Sequence, residues 1–125
     1  MKTKLAILVW SLSPERPELC AAPFVYAAAA AAMDCEVEIH FAGSAVKLIE
    51  PGVAEILFSS PDRERSVHDF MQDAAGRGVK FLGCQMALRA HGLADRPLIP
   101  EYSGAAGAAA FVARTLDPEW STMIF

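Results

Sequence analysis

The sequence predicts an α/β fold. We read a single domain over residues 1–125, built on a mostly parallel sheet of four to five strands with helices on both faces in flavodoxin-like layering. Three observations predict it. Short apolar runs alternate along the chain with segments of helical spacing. Leu5-Ala6-Ile7-Leu8-Val9-Trp10 is apolar at every position, as in a strand covered on both faces. Val79-Lys80-Phe81-Leu82-Gly83 passes at Cys84 straight into the helical stretch Gln85–His91, which Gly92 ends.

After the first strand, Ser11 to Pro17 is a loop with two prolines. A helix runs to Met33 through Ala27–Ala32, started at Pro17 or at Pro23, since proline is tolerated in a first turn and alanine has the best helix propensity. The second strand, Glu36–Phe41, alternates Val37, Ile39 and Phe41 with Glu36, Glu38 and His40. Ala45–Glu50 reads as a short helix stopped by Pro51-Gly52, and residues 53–62 fit either a helical turn or a short strand. Ser66–Ala75 is the clearest helix. Ser66 and Asp69 have capping-box spacing, and Val67, Phe70, Met71, Ala74 and Ala75 recur at helical intervals. Asp95–Glu101 is a loop, Ser103 caps a helix from Gly104 to about Leu116, and Trp120–Phe125 is the last strand.

Composition narrows the function. Hydrophobic residues make up 54% of 125, enough for a real core and too many for a disordered chain. A mean hydropathy of +0.28 is high for a small domain and points to subunit contacts, so a homo-oligomer is expected. Net charge −4 and the lack of a basic stripe argue against nucleic acid. The uncharged stretch Leu19–Met33 is too short to span a bilayer, so no membrane role is expected. Met1–Trp10 lacks the length of a secretory apolar region and reads as a strand. Three cysteines without an export signal suit a reducing, cytoplasmic setting.

In open α/β sheets, ligands bind outside the carboxyl ends of the strands. That rule singles out Cys84, at a strand end and a helix start, where free amide groups and the positive helix end favour a thiolate. Its bland alternative is a packed core cysteine. Cys20, His40, Glu101 and Tyr102 fall toward the same edge as accessory candidates; Cys35 begins its strand and falls at the other. His68 and His91 read as solvated helix residues. Cys20, His40 and Cys84 lack any close Cys-x-x-Cys or His-x-x-x-His pair, so no metal is expected. No cofactor is expected either: Gly104 and Gly107 do not make a dinucleotide fingerprint, and no Walker loop or nucleophile elbow is present.

Taken in order, several features resemble the DsrE/DsrF-like family of small sulfur-relay proteins, with its TusD-type and YchN-type branches. They are the opening strand Lys4–Trp10, the alanine-rich helix before Cys35-Glu36-Val37-Glu38-Ile39-His40-Phe41, and Gly78–Cys84 with Ala87 and His91-Gly92-Leu93. The closing segment from Ile99-Pro100-Glu101 through Gly104-Ala105 to the last strand is similar too. The resemblance spans nearly the whole chain and is poorest at residues 55–66. It implies a parallel sheet sandwiched by helices, assembly into trimers or hexamers, and donor and acceptor proteins for sulfur. It implies a persulfide on Cys84, in a carrier of sulfurtransferase type more than a turnover enzyme. Two other readings stand beside it: a non-catalytic oligomeric binding module with Cys84 buried, and a redox switch pairing Cys20 with Cys84.

Overall fold

Residues 3–125 are described by a computed structural model. Among them, five strands and four α-helices follow one another: β1 (Lys4–Val9), α1 (Ala22–Ala32), β2 (Glu36–Phe41), α2 (Val67–Gly76), β3 (Lys80–Gly83), α3 (Gln85–Ala90), β4 (Tyr102–Ala105), α4 (Ala108–Leu116) and β5 (Trp120–Ile124). They form one sheet in the order β4-β3-β2-β1-β5, with every neighbouring pair parallel.

This order decides which face each helix covers. From β1 to β4 the chain steps one strand at a time in one direction, and right-handed crossovers put α1, α2 and α3 on one face. The return from β4 across the sheet to β5 runs the other way, which puts α4 alone on the opposite face. Two cores result. The larger joins Leu5, Ile7 and Val9 of β1 and Val37, Ile39 and Phe41 of β2 to Phe24, Met71 and Phe81. Within it Phe24, Phe41 and Phe81 are fully buried, with ring centroids 5.3–6.0 Å apart. The smaller joins Ala6, Phe111 and Trp120, with Leu8 beside them.

Local signals held where they were strong. Ser66 caps α2 with both bonds of the capping box: its Oγ accepts the Asp69 N–H at 3.1 Å, and its own N–H donates to Asp69 Oδ2 at 2.8 Å. Both proline starts exist. Pro17 opens a separate 3-10 turn, Pro17–Leu19, and Pro23 lies in the first turn of α1. Gly43, at φ +52°, opens a 3-10 stretch, Gly43–Ile49, where a short helix was expected; a Cβ there would sit 2.8 Å from the Trp10 carbonyl oxygen. The ambiguous residues 53–62 hold a 3-10 turn, Ala54–Ile56, and a single antiparallel bridge, Phe58 with Ser66.

One element differs outright. Ser103 does not cap a helix from Gly104: residues 102–105 are edge strand β4, and α4 starts at Ala108 behind Gly107. Alanine and glycine carry little strand preference, but β3 offers an open edge, and pairing with it overrides local propensity. The Ser103 hydroxyl accepts the Phe81 N–H at 3.4 Å, beside a register shift between Phe81 and Leu82. No described helix is long and apolar enough to cross a membrane.

Candidate functional site

A pocket of ≈ 210 Å³ opens at the carboxyl end of the sheet. β1 contributes Leu8, β2 contributes His40, Phe41 and the following Ala42, and Cys84 comes from the end of β3. Ala106, Gly107 and Ala108 supply the wall that leads into α4, whose Phe111 and Val112 close the side. Three small residues in a row therefore shape one wall of the pocket. His40 and Cys84 are its only polar-chemistry side chains; the rest of the lining is apolar.

Cys84 is half-buried and free, and packs partly against the larger core. It is the N-cap of α3 in extended conformation, and its side chain makes no capping bond. Its N–H donates to the Phe41 carbonyl at 2.9 Å, tying the β3 end to the β2 end, and Leu88 N–H donates to its carbonyl at 2.9 Å. The amides of residues 85–87 precede that first bond of the turn. α3 has six residues, so fewer than two turns of aligned peptide dipoles stand behind the thiol. Gly83 keeps this junction tight: a Cβ there would lie 3.0 Å from Tyr102 Cε1.

His40 belongs to a buried polar cluster on the face that α4 covers. Alternation along β2 sends Glu38 and His40 to that face, and both are nearly sealed, at 5% and 3% exposure. His40 Nε2 lies 2.8 Å from Glu38 Oε1. Arg114 of α4 reaches the same carboxylate, Nε to Oε1 at 2.7 Å and Nη2 to Oε2 at 3.4 Å, and lies over the Trp120 ring at 4.1 Å. Burial pushes the Glu38 carboxyl up, but the hydrogen bonds and charges of Arg114 and His40 outweigh it and hold the group below its ordinary value. Glu38 is therefore an ionised acceptor, so His40 Nε2 carries the hydrogen and Nδ1 is the basic nitrogen of the neutral ring. That Nδ1 is buried and has no hydrogen-bond partner among the described residues. Phe111 meets the imidazole edge-on at 5.3 Å.

The other candidates lie elsewhere. Cys20 is fully buried under the loop after β1 and does not line the pocket. Its thiol donates to the carbonyls of Ser13 and Arg16, both at 3.4 Å. Burial pushes that thiol up; the Ser13 hydrogen bond only partly offsets it, and Glu18 adds to it. Native Cys20 is expected to alkylate at least about 100-fold more slowly than in the unfolded chain, because only an accessible thiolate reacts. Peptide mass spectrometry after iodoacetamide, with and without urea, checks this; equal rates would mean that the loop opens freely.

Glu101 pairs with His68 of α2, Oε1 to Nε2 at 2.7 Å, with both side chains mostly buried. His68 is thus a packed link between α2 and the approach to β4, not a solvated residue. Tyr102 packs against Gly83 behind the pocket. Its hydroxyl is buried without hydrogen-bond geometry to any described partner, and burial pushes the phenol up, with the Gly83 backbone offsetting part of the shift. Cys35 lies just before β2, at the opposite end of the sheet. Among the described residues no group of three His, Cys, Asp or Glu side chains is placed to hold a metal ion. Glu38 and Arg114 were not singled out from sequence. Glu38 had a usable signal, its position two residues before His40 on one strand face; Arg114, far along the chain, had none.

Comparison with known proteins agrees with this architecture. The model of the DsrE/DsrF-like family matches residues 4–116. The YchN protein of Escherichia coli has a similar structure, at TM-score 0.73 and 14% identity over 100% of both chains. So does MTH1491 of Methanobacterium thermoautotrophicum, described as a protein of unknown function, at TM-score 0.66 and 15% identity over 99% of this chain and 100% of that one. A search of curated proteins finds no match.

Proposed function

The chain belongs to the DsrE/DsrF-like family, and on that premise we propose that it is a sulfur-relay protein that accepts and passes on sulfane sulfur as a persulfide on Cys84. The observation that carries this reading is the shared pocket: Cys84 opens, beside His40, into an apolar cleft at the carboxyl end of the sheet. Such a cleft admits a sulfur-bearing arm while limiting water, which protects a reactive persulfide.

The chemistry is an exchange without net oxidation. The Cys84 thiolate attacks the outer sulfur of a donor hydropersulfide, R–S–SH. The Sγ–S bond forms, the donor S–S bond breaks, and R–S⁻ leaves with the electron pair. An acceptor thiolate then attacks the outer sulfur on Cys84 and returns the residue to a thiolate. Amide groups at the start of α3 are suited to hydrogen-bond the sulfur anion. Cys84 carries the cargo and regenerates, which makes the protein a carrier of sulfurtransferase type.

Donor and acceptor are then proteins whose reactive cysteine sits on a short, uncharged arm. The working form is a homo-oligomer in a reducing, cytoplasmic compartment. Val112, Leu116 and Ile124 lie exposed around α4 and β5, an apolar surface suited to subunit contact.

Incubation with a persulfide donor is expected to add the mass of one sulfur atom to the Cys84 peptide, removable by dithiothreitol. Cys84→Ser is expected to lose that label completely while folding normally. A protein that takes up no sulfur on Cys84, or a Cys84→Ser variant that loads as well as the parent, would reject the reading. The apolar lining favours the binding-module alternative in that event.

A further inference from the structure

We propose that Glu38 and Arg114 position His40 as the group that takes the Cys84 proton, so that the pocket reacts as a thiolate–imidazolium pair. This rests on the reading of Cys84 as the sulfur carrier, and it assigns the proton transfer that the reading requires.

The argument starts from charge. Glu38 and Arg114 form a two-bond ion pair whose net charge is zero. His40 is hydrogen-bonded to the same carboxylate at 2.8 Å and is 3% exposed, so a proton added to it alone leaves one uncompensated positive charge in a nearly dry site. The groups facing it from each neighbouring element are few. β2 offers Glu38, α4 offers Arg114 and Phe111, and the flanking strand positions are Leu8 of β1 and Leu82 of β3. The one neighbour in the pocket that can supply a compensating negative charge is Cys84. Moving the proton from the thiol to the imidazole leaves the net charge of the pocket unchanged, whereas ionising either group alone does not.

The geometry fixes which nitrogen is basic. Ionised Glu38 occupies the Nε2 hydrogen, which leaves Nδ1 as the acceptor, and Nδ1 is buried with no described partner. A carboxylate held by a second cation, orienting an imidazole that lines the same pocket as a thiol, is an arrangement that can activate a nucleophile. The step balances: the Sγ–H bond breaks, its electron pair stays on Sγ, and the proton goes to His40 Nδ1 once the two side chains close on each other, since Nδ1 makes no hydrogen bond to Sγ at rest. The proton returns to the departing R–S⁻ after sulfur transfer. Glu38 and Arg114 touch neither sulfur, and act through His40.

The test reads thiolate reactivity without any sulfur donor. Alkylation of the Cys84 peptide by iodoacetamide is followed across pH 6–10 by mass spectrometry, with buried Cys20 as an internal monitor of loosening. At pH 7, His40→Gln is expected to alkylate Cys84 about tenfold more slowly than the parent, and Glu38→Gln about threefold more slowly, both converging with it near pH 10, where an accessible thiol ionises without a neighbouring base. Arg114→Lys keeps the charge but loses the two-bond fork and the stacking on Trp120, so its pH 7 rate is expected to fall between those of the parent and Glu38→Gln. Equal rates at pH 7 in parent and His40→Gln overturn the proposal, as does a deficit that persists at pH 10 with Cys20 newly reactive, since that reports loosened structure. If Glu38→Gln does not fold, His40→Gln and Arg114→Lys carry the test. Failure here with sulfur loading intact leaves the carrier reading standing; loss of the carrier reading shows instead as unlabelled Cys84 in the loading experiment.

Discussion

Phe81→Ala is expected to destabilise the domain by about 3–5 kcal/mol, the cost of removing a fully buried aromatic ring from a core that cannot collapse around the gap. Phe81 is 0% exposed and packs edge-on to Phe41 at 5.3 Å and tilted against Phe24 at 5.8 Å. These three rings bring β2, β3 and α1 together, and β3 ends two residues later in the Gly83–Cys84 junction. For a domain of this size the loss is a large share of a total of about 5–15 kcal/mol. It should lower the thermal midpoint by about 10–20 °C. Urea and thermal melts followed by circular dichroism measure it. A loss below about 1 kcal/mol would mean that the core repacks more freely than the ring geometry implies.

Glu38→Ala is expected to cost about 2–4 kcal/mol, because removing one member of a buried ionic cluster strands the others. The two stranded partners are unequal. Arg114 is 37% exposed and can turn to water, whereas His40, at 3%, cannot, so most of the cost falls on the imidazole. The pH dependence provides a sharper check. The Glu38 carboxyl is held below its unfolded value near 4.5, despite burial, by Arg114 and His40. Its contribution is therefore complete above that unfolded value and is lost as the pH falls through the lower folded one. Between those limits the unfolded chain binds more protons, so stability rises with pH. Urea midpoints from about pH 2.5 to 7 should rise less steeply in Glu38→Gln than in the parent across this acid range. Parallel curves would mean that Glu38 titrates alike in both states.

The candidate site was partly visible in advance. Cys84 and His40 were placed by one rule, that strand carboxyl ends carry the ligands, and they do line a common pocket. The same rule drew in Cys20, Glu101 and Tyr102, which are near that edge in sequence order but are sealed by packing: Cys20 by its loop, Glu101 by His68, and Tyr102 against Gly83. Strand order says which residues reach an edge of the sheet, and says nothing of which side of it they take. Likewise Gly104–Ala106 looked helical because alanine dominates there, until an unpaired strand beside it supplied hydrogen bonds that no local preference can match.

Alternation, capping and apolar runs are short-range properties, written in neighbouring residues. They settled the α/β class, the first three strands, the capping of α2 and the position of Cys84 between strand and helix. The partner of Glu38 is 76 residues away, and the face on which α4 lies follows from the direction in which the chain crosses the sheet. Only the folded chain decided that the polar side of β2 would be buried, because a charge is tolerated there once an arginine from the last helix arrives to meet it.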